Sequence, residues 1–226
     1  SKRYGNLTAL DNVDFHIAKN EVVGLLGDNG AGKSTLIKMM SGVVAPDTGD
    51  VFVDGKETKI STRKQSEEIA GIETIYQNSA LCNDMTIIRN IFMGREEIED
   101  STLMQVIECS GVNDFLTKIP GGLDAVLMDR GQSLSAGQRQ SIAIARALIN
   151  QPEVLLMDEP TAALDLNSEQ AFVKKLKPLI DGKTLIMVTH RLPVLELVDR
   201  IIVLADGKIA LDGPKDEVLE KLKAKS

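Results

Sequence analysis

The amino-acid sequence predicts an α/β fold built on a mostly parallel β-sheet. Two features carry that expectation. Glu21–Leu26 is an apolar run ending in glycine and reads as a strand buried on both faces, and Val154–Asp158, Thr184–Thr189 and Ile201–Leu204 are short β-branched or leucine-rich runs. Helical stretches at Ser168–Ile180 and Pro193–Val198 separate the last three, and alternation of buried strand and helix is the pattern of a parallel sheet. The length, 226 residues, suits one large domain or two small ones. Hydrophobic residues at 43% and charged residues at 26% are ordinary for a globular chain and exclude general disorder. No apolar run approaches the ~18 residues that cross a bilayer, and no secretory signal is visible behind Ser1-Lys2-Arg3-Tyr4-Gly5.

In chain order, Val13, Phe15 and Ile17 alternate with Asp14 and His16, which predicts a half-buried strand. After the Glu21–Leu26 strand comes a glycine-rich loop at Gly27–Gly32. Lys33–Gly42 then reads as a helix with Leu36, Ile37, Met39 and Met40 on its apolar face and Gly42 as its stop. Asp50–Asp54 and Gly71–Tyr76 are further strands. From Asn78 to Gln151 helical segments dominate, around Ile87–Phe92, Ser101–Ser110 and Ala136–Ile149. Strand character returns afterwards. Asp206-Gly207 joins Ile201–Leu204 to Lys208–Leu211 as a two-residue hairpin, and Pro214–Lys223 closes the chain as an amphipathic helix.

Lys and Arg number 26 against 33 Asp and Glu, so the net charge is −7 and the isoelectric point about 5.0. That argues against nucleic acid as a partner of the whole surface, which requires a basic footprint, but leaves room for a local phosphate site. Cys82 and Cys109 have no metal-binding spacing and read as reduced thiols. Aromatic residues are 3% of the chain and Trp is absent, so platforms for stacking bases are few.

Gly27-Asp28-Asn29-Gly30-Ala31-Gly32-Lys33-Ser34 fits G-x-x-x-x-G-K-[ST] between a buried strand and a helix. Glycines let successive N–H groups turn toward phosphate oxygens, and the following helix adds its N-terminal donors and dipole. Asn29, Gly30, Ala31, Gly32 and Thr35 belong to this cradle. Lys33 is expected to neutralise the β- and γ-phosphates and Ser34 to offer its hydroxyl to Mg²⁺. Val154-Leu155-Leu156-Met157-Asp158-Glu159 is an apolar strand ending in two acids, at the edge where parallel sheets bind ligands. Asp158 is expected to hold Mg²⁺ through water, and Glu159 to orient or activate the attacking water. These residues point to a P-loop ATPase or GTPase.

Leu134-Ser135-Ala136-Gly137-Gln138, ahead of a long helix, resembles the signature motif of ATP-binding cassette (ABC) ATPases, usually Leu-Ser-Gly-Gly-Gln. The resemblance covers essentially the whole chain. It implies a P-loop core with a mostly parallel sheet (1–77 and 152–226), an antiparallel β subdomain, and an inserted α-helical subdomain over 78–151. Tyr4 stands where the family stacks an aromatic on adenine, and Gln77 where a glutamine touches Mg²⁺ and senses the γ-phosphate. His190 matches the histidine that contacts the γ-phosphate. Asp165, in Ala162-Ala163-Leu164-Asp165, matches an aspartate that crosses a dimer interface. His16 has no such company and reads as structural. In the family two chains sandwich two nucleotides head to tail, so Glu159 and His190 are expected to act in cis, with Ser135, Ala136, Gly137, Gln138 and Asp165 facing the partner's nucleotide. ATP rather than GTP follows from the resemblance, from Tyr4, and from the lack of an Asn-Lys-x-Asp motif.

Two departures stand out: Ala136 replaces a glycine, and Met128-Asp129 precede Arg130-Gly131 where exporters usually carry a glycine and a glutamate. The halves also resemble different relatives. Up to about Glu97, Ile72-Glu73-Thr74-Ile75-Tyr76-Gln77 and Asn90-Ile91-Phe92-Met93-Gly94-Arg95-Glu96 are similar to ATPases of bacterial monosaccharide importers. From about Ser101, Ile119-Pro120-Gly121-Gly122-Leu123-Asp124 and Gly213-Pro214-Lys215-Asp216-Glu217-Val218-Leu219 resemble type I secretion exporters, which suggests a chimeric or engineered origin. The expected function is ATP hydrolysis driving transport through a separate membrane permease that meets the helical subdomain. Such a cassette sits in the cytoplasm, peripheral on the inner face of the plasma membrane. The alternatives are a cassette that binds ATP with little turnover and no permease, and a soluble ABC ATPase outside transport; the coiled-coil insertions, zinc modules or tandem cassettes of the latter are not visible here.

Overall fold

The apolar runs become the centre of a six-stranded sheet. The computed structural model describes residues 1–76, 81–93, 98–128, 131, 133–162 and 164–224. Its strands are β1 (Lys2–Tyr4), β2 (Leu7–Leu10), β3 (Val22–Leu26), β4 (Phe52–Val53), β5 (Lys56–Glu57), β6 (Ile72–Ile75), β7 (Met85–Thr86), β8 (Val126–Leu127), β9 (Val154–Asp158), β10 (Thr184–Val188), β11 (Arg200–Ala205) and β12 (Lys208–Pro214). Its α-helices are α1 (Lys33–Met40), α2 (Arg63–Ala70), α3 (Ile87–Phe92), α4 (Asp100–Ser110), α5 (Asn113–Leu116), α6 (Ala136–Leu148), α7 (Leu166–Ile180), α8 (Leu192–Leu195) and α9 (Lys215–Lys223).

The main sheet runs β12-β11-β3-β10-β9-β6. β11, β3, β10 and β9 are mutually parallel, and β12 returns antiparallel to β11. Register aligns the strand ends. Val188 pairs with both Leu25 and Asp158, so β3, β10 and β9 end at the same level. The loops leaving those three strands therefore open from one carboxyl edge, where a parallel sheet presents its ligand site. Val23, Leu25, Leu156, Met157, Leu185, Met187 and Val188 are fully buried, as expected of strands covered on both faces. Gly24 permits the close approach of Val198 and Leu195, whose side chains would lie 3.3 and 3.5 Å from a Cβ placed there. Small antiparallel pairs, β1–β2, β4–β5 and β7–β8, stand apart from this sheet.

Several expectations need correction. Residues 13–17 alternate in burial as the sequence suggested, yet form no ladder among the described residues. The strand expected over Asp50–Asp54 shrinks to β4, paired with the unanticipated β5. The helix expected at Pro193–Val198 is the single turn α8 followed by further turns. A whole helix, α2, lies between β5 and β6 unforeseen, started by the Thr62 hydroxyl accepting from Gln65 N–H and stopped by left-handed Gly71. The Asp206-Gly207 turn forms as anticipated, with φ of 49° and 74°, the positive pair of a type I′ hairpin.

The chain forms two compact units. The first comprises Ser1–Thr74, Glu153–Glu159 and Gly182–Ser226, and contains nearly all of the main sheet with α1, α2, α8 and α9. The second comprises Ile75–Pro152 and Pro160–Asp181, and is largely helical, with α3 and α4 packed on α6 and α4 on α7. Pro160–Asp181, with α7, falls in this second unit.

In the first unit Arg200 locks the β11–β12 hairpin: Nε and Nη2 donate to the two Asp212 carboxylate oxygens at 2.6 Å each, and Nη1 lies 3.4 Å from Glu21 Oε1. The Arg200 guanidinium holds the Asp212 carboxyl below its ordinary range. A carboxyl depressed in the folded state adds stability above its unfolded pKa, near 4, and loses it as pH falls through the folded value. Asp212→Asn is therefore expected to cost about 1 kcal/mol at pH 7, the modest figure reflecting partial solvent screening of the pair. Urea unfolding of both proteins checks this: the gap should close as the pH drops below about 4.

Candidate functional site

The loop between β3 and α1 is shaped by glycine. Gly27, Gly30 and Gly32 have φ of 146°, 88° and 104°. A side chain at Gly27 would run into the Leu204 carbonyl oxygen, and a Cβ at Gly32 would sit 2.5 Å from Ala9 O and 2.7 Å from Leu10 Cδ2. Gly32 is the N-cap of α1 and brings no capping side chain, so none competes for the first-turn N–H groups. Ala31 is buried; Asn29 and Gly30 are exposed, and Thr35 is half-buried in the first turn of α1. The Lys33 ammonium folds back over its own loop and donates to Gly27 O at 2.7 Å and Asp28 O at 2.9 Å. Those two neutral carbonyls hold the charge against its own loop.

Asp158 ends β9 at the same edge. Burial pushes its carboxyl above the usual range, as does neighbouring Glu159, against the lowering effect of a hydrogen bond from Ser34 and the charge of Lys33. A carboxylate short of solvation beside a serine hydroxyl is a pair of hard oxygen donors, the donor type that Mg²⁺ takes while keeping several waters. Ser34 and Asp158 therefore fit that ion. The third expected ligand, Gln77, lies outside the described residues.

Glu159 follows Asp158 in left-handed backbone, with φ of 49°. A non-glycine residue there stores strain of order 1–3 kcal/mol. The next residue is Pro160, whose ring disfavours right-handed helical backbone at Glu159. The Glu159 N–H donates to Val188 O at 3.0 Å, which extends the β9–β10 ladder by one bond and holds the turn. This conformation brings Glu159 Oε1 to 3.5 Å from His190 Nδ1. The Glu159 side chain is 19% exposed and that of His190 70%, so the acid is sheltered and the imidazole open. The P-loop, Asp158–Glu159 and His190 thus leave the ends of β3, β9 and β10 at one level. Tyr4, on β1 in the same unit, is 46% exposed.

The signature residues belong to the helical unit. Ser135 is the N-cap of α6 in a full capping box: its Oγ accepts from Gln138 N–H at 3.2 Å, and its own N–H donates to Gln138 Oε1 at 2.8 Å. The Ser135 and Gln138 N–H groups are thus engaged within the capping box, which leaves the Ser135 hydroxyl proton and the Ala136 and Gly137 amides outside it. Ala136 is exposed at the first helical position with no positive φ, so its methyl does not restrain the backbone there. A Cβ on Gly137 would lie 3.0 Å from Leu164 Cδ2. Asp165 caps α7, accepting from Ser168 N–H and Oγ at 2.9 Å each, and these bonds hold its carboxyl below the ordinary range. Ser135, Gly137 and Gln138 border a cavity of about 250 Å³ in this unit, lined also by Leu164, Phe172 and Lys175. Asp129, Arg130 and Ala163 lie outside the described residues.

Residues 10–162 match the family model for the ABC transporter. The chain belongs to the ABC transporter family. Over 212 residues it is 35% identical to the alpha-hemolysin translocation ATP-binding protein HlyB of Escherichia coli, covering 94% of this chain and 30% of that protein. The leukotoxin translocation ATP-binding protein LktB of a Pasteurella haemolytica-like species is likewise 35% identical, over 213 residues. The chain therefore spans about 30% of the length of these curated relatives. The structure of a bacterial Atm1-family ABC exporter with ATP bound superposes with a TM-score of 0.86 at 31% identity, over 94% of this chain and 37% of the other. These similarities agree with the exporter resemblance of the C-terminal half. They also run through the boundary near Glu97–Ser101, so they lend nothing to an importer-like first half or to a chimeric origin.

Sequence reasoning missed two features of this ABC cassette. The left-handed conformation of Glu159 had no signal, since Pro160 after it favours extended backbone at that position. The surroundings of Tyr4, Lys2 and Asp47, had none, because Asp47 is 45 positions from Lys2.

Proposed function

We propose that the chain is the ATP-hydrolysing cassette of an ABC exporter, working as a head-to-tail pair around two Mg-ATP. The observation that carries this reading is the common carboxyl edge of β3, β9 and β10, where the Lys33 cradle, Asp158 and the Glu159–His190 pair meet. The N–H groups of the loop and α1, together with Lys33, take the phosphate tail. Ser34 and Asp158 hold Mg²⁺, which neutralises phosphate charge when bound. Glu159 takes a proton from the attacking water, and His190 contacts the γ-phosphate. The second copy supplies Ser135, Ala136, Gly137, Gln138 and Asp165 to the same nucleotide, so each copy gives both halves of the contact. Hydrolysis removes the bridging phosphate and lets the pair open.

The membrane partner is an integral permease domain outside these 226 residues; among the described residues no helix is long and apolar enough to cross a membrane. In the helical unit Met85, Met93, Val126 and Met128 are exposed on or near the β7–β8 pair, and adaptable methionines suit an apolar docking surface for such a partner. The names of HlyB and LktB, both translocation ATP-binding proteins, and the Atm1-family exporter favour export over import. Phosphate release measured across a range of chain concentrations tests the paired mechanism. The rate per chain should climb with concentration and then level off. A flat, negligible rate would leave the cassette as a nucleotide binder only.

A further inference from the structure

Tyr4 lies on a fragile element. β1 and β2 form a two-stranded ribbon outside the main sheet, and such ribbons are marginal alone. Their register slips between Lys2 and Arg3, where Ala9 of β2 is the extra residue and β1 keeps its alternation. Two bonds from one carboxylate tie β1 down opposite this bulge. Asp47 Oδ1 accepts from Lys2 Nζ at 2.7 Å, and Asp47 Oδ2 accepts from Arg3 N–H at 2.7 Å. The Lys2 ammonium, on a side chain only 15% exposed, lies over the Tyr4 ring, 5.7 Å from its centroid. Lys2 and Tyr4 are two residues apart and so share a face of the strand. A cation over one π-face is drawn to the ring quadrupole and restrains its tilt. The Asp47 carboxyl is held below the ordinary range by the Lys2 hydrogen bond and the Arg3 N–H, in keeping with a permanently ionised anchor.

We propose that Asp47, acting through Lys2 and the Arg3 amide, is a positioning residue for the nucleobase: it fixes the Tyr4 ring with one face under the Lys2 ammonium and leaves the other face for a purine. This rests on the reading of Tyr4 as the base-stacking residue. Asp47 touches no phosphate in this scheme. Its loss should weaken binding of a nucleotide but not of the bare phosphate chain, a distinction that general destabilisation of the loop would not make.

The test compares calorimetric titrations with Mg-ATP and Mg-tripolyphosphate. Stacking on an aromatic contributes roughly 10-fold or more to affinity, so Tyr4→Ala should weaken ATP by about that factor and leave tripolyphosphate unchanged. Asp47→Ala should weaken ATP by about 3–10-fold with tripolyphosphate within about twofold, and should add nothing further in a Tyr4→Ala background. Lys2→Met, which keeps the stem and removes the charge, should give a smaller loss, about 2–3-fold, again for ATP alone. Because the chain has no Trp, Tyr4→Trp supplies a single tryptophan whose emission is separable from that of Tyr76. ATP should quench it, and Asp47→Ala in that background should reduce the quench at saturation. Equal losses for both ligands, a loss that persists without Tyr4, or no loss at all would each overturn the role of Asp47 while leaving Tyr4 in place. If Tyr4→Ala itself leaves ATP affinity unchanged, the base-stacking reading falls, and the proposal with it.

Discussion

Lys33→Ala is expected to lower the affinity for Mg-ATP by at least about 100-fold, since an ammonium about 4 Å from an anionic oxygen gains roughly 4 kcal/mol near a protein surface and 1.4 kcal/mol is tenfold. Without nucleotide the ammonium already has two acceptors, Gly27 O and Asp28 O, at 2.7 and 2.9 Å. Binding exchanges neutral carbonyls for anionic oxygens, so the gain is one of charge and not of bond count. The close packing at Gly27 and Gly32 is against Leu204, Ala9 and Leu10, so the fold should survive removal of Lys33. Lys33→Met, which keeps the apolar stem, separates the charge from the packing. Competition against a fluorescent ATP analogue, with thermal unfolding run alongside, checks both points. An affinity within about threefold of the parent would mean that the ammonium does not reach the phosphates.

The second large effect is on turnover. Glu159→Gln should cut ATP hydrolysis by about 10²–10⁴-fold, the range attributed to a positioned general base. It should keep ATP affinity and lengthen the life of the ATP-bound pair. Glutamine has nearly the same shape and meets the same left-handed backbone at φ 49°, so the strain is common to both proteins and the comparison isolates the charge. Single-turnover phosphate release and size-exclusion of the ATP-loaded variant measure the two sides. Hydrolysis at the parent rate would remove Glu159 from the role of base.

How much of this was legible depends on how each element is stabilised. β3, β9, β10 and β11 were readable because a strand covered on both faces must be apolar throughout, and nothing else in the chain looks like that. The P-loop was readable because its chemistry demands glycines and a lysine at fixed offsets. α2 escaped because Arg63–Ala70 buries only Ser66 and Ala70 and has no apolar stripe, although Thr62 and Gly71 marked both ends. Residues 13–17 misled in the opposite direction: alternation reports alternate burial, and burial does not require a pairing partner. At the candidate site the motifs were legible and the backbone conformation was not. The Ser135–Gln138 capping box had a signal in its Ser-x-x-Gln spacing that went unread, whereas no pattern announces that Asp47 reaches back to β1.

Every step from cradle to paired cassette depends on the capture of a triphosphate by the β3–α1 loop. Isothermal titration of the purified chain with Mg-ATP examines that most directly. A saturable isotherm with one nucleotide per chain, lost in Lys33→Ala, is the predicted result. A folded parent chain that gives no binding heat at two different temperatures, even with nucleotide in millimolar excess, would contradict it.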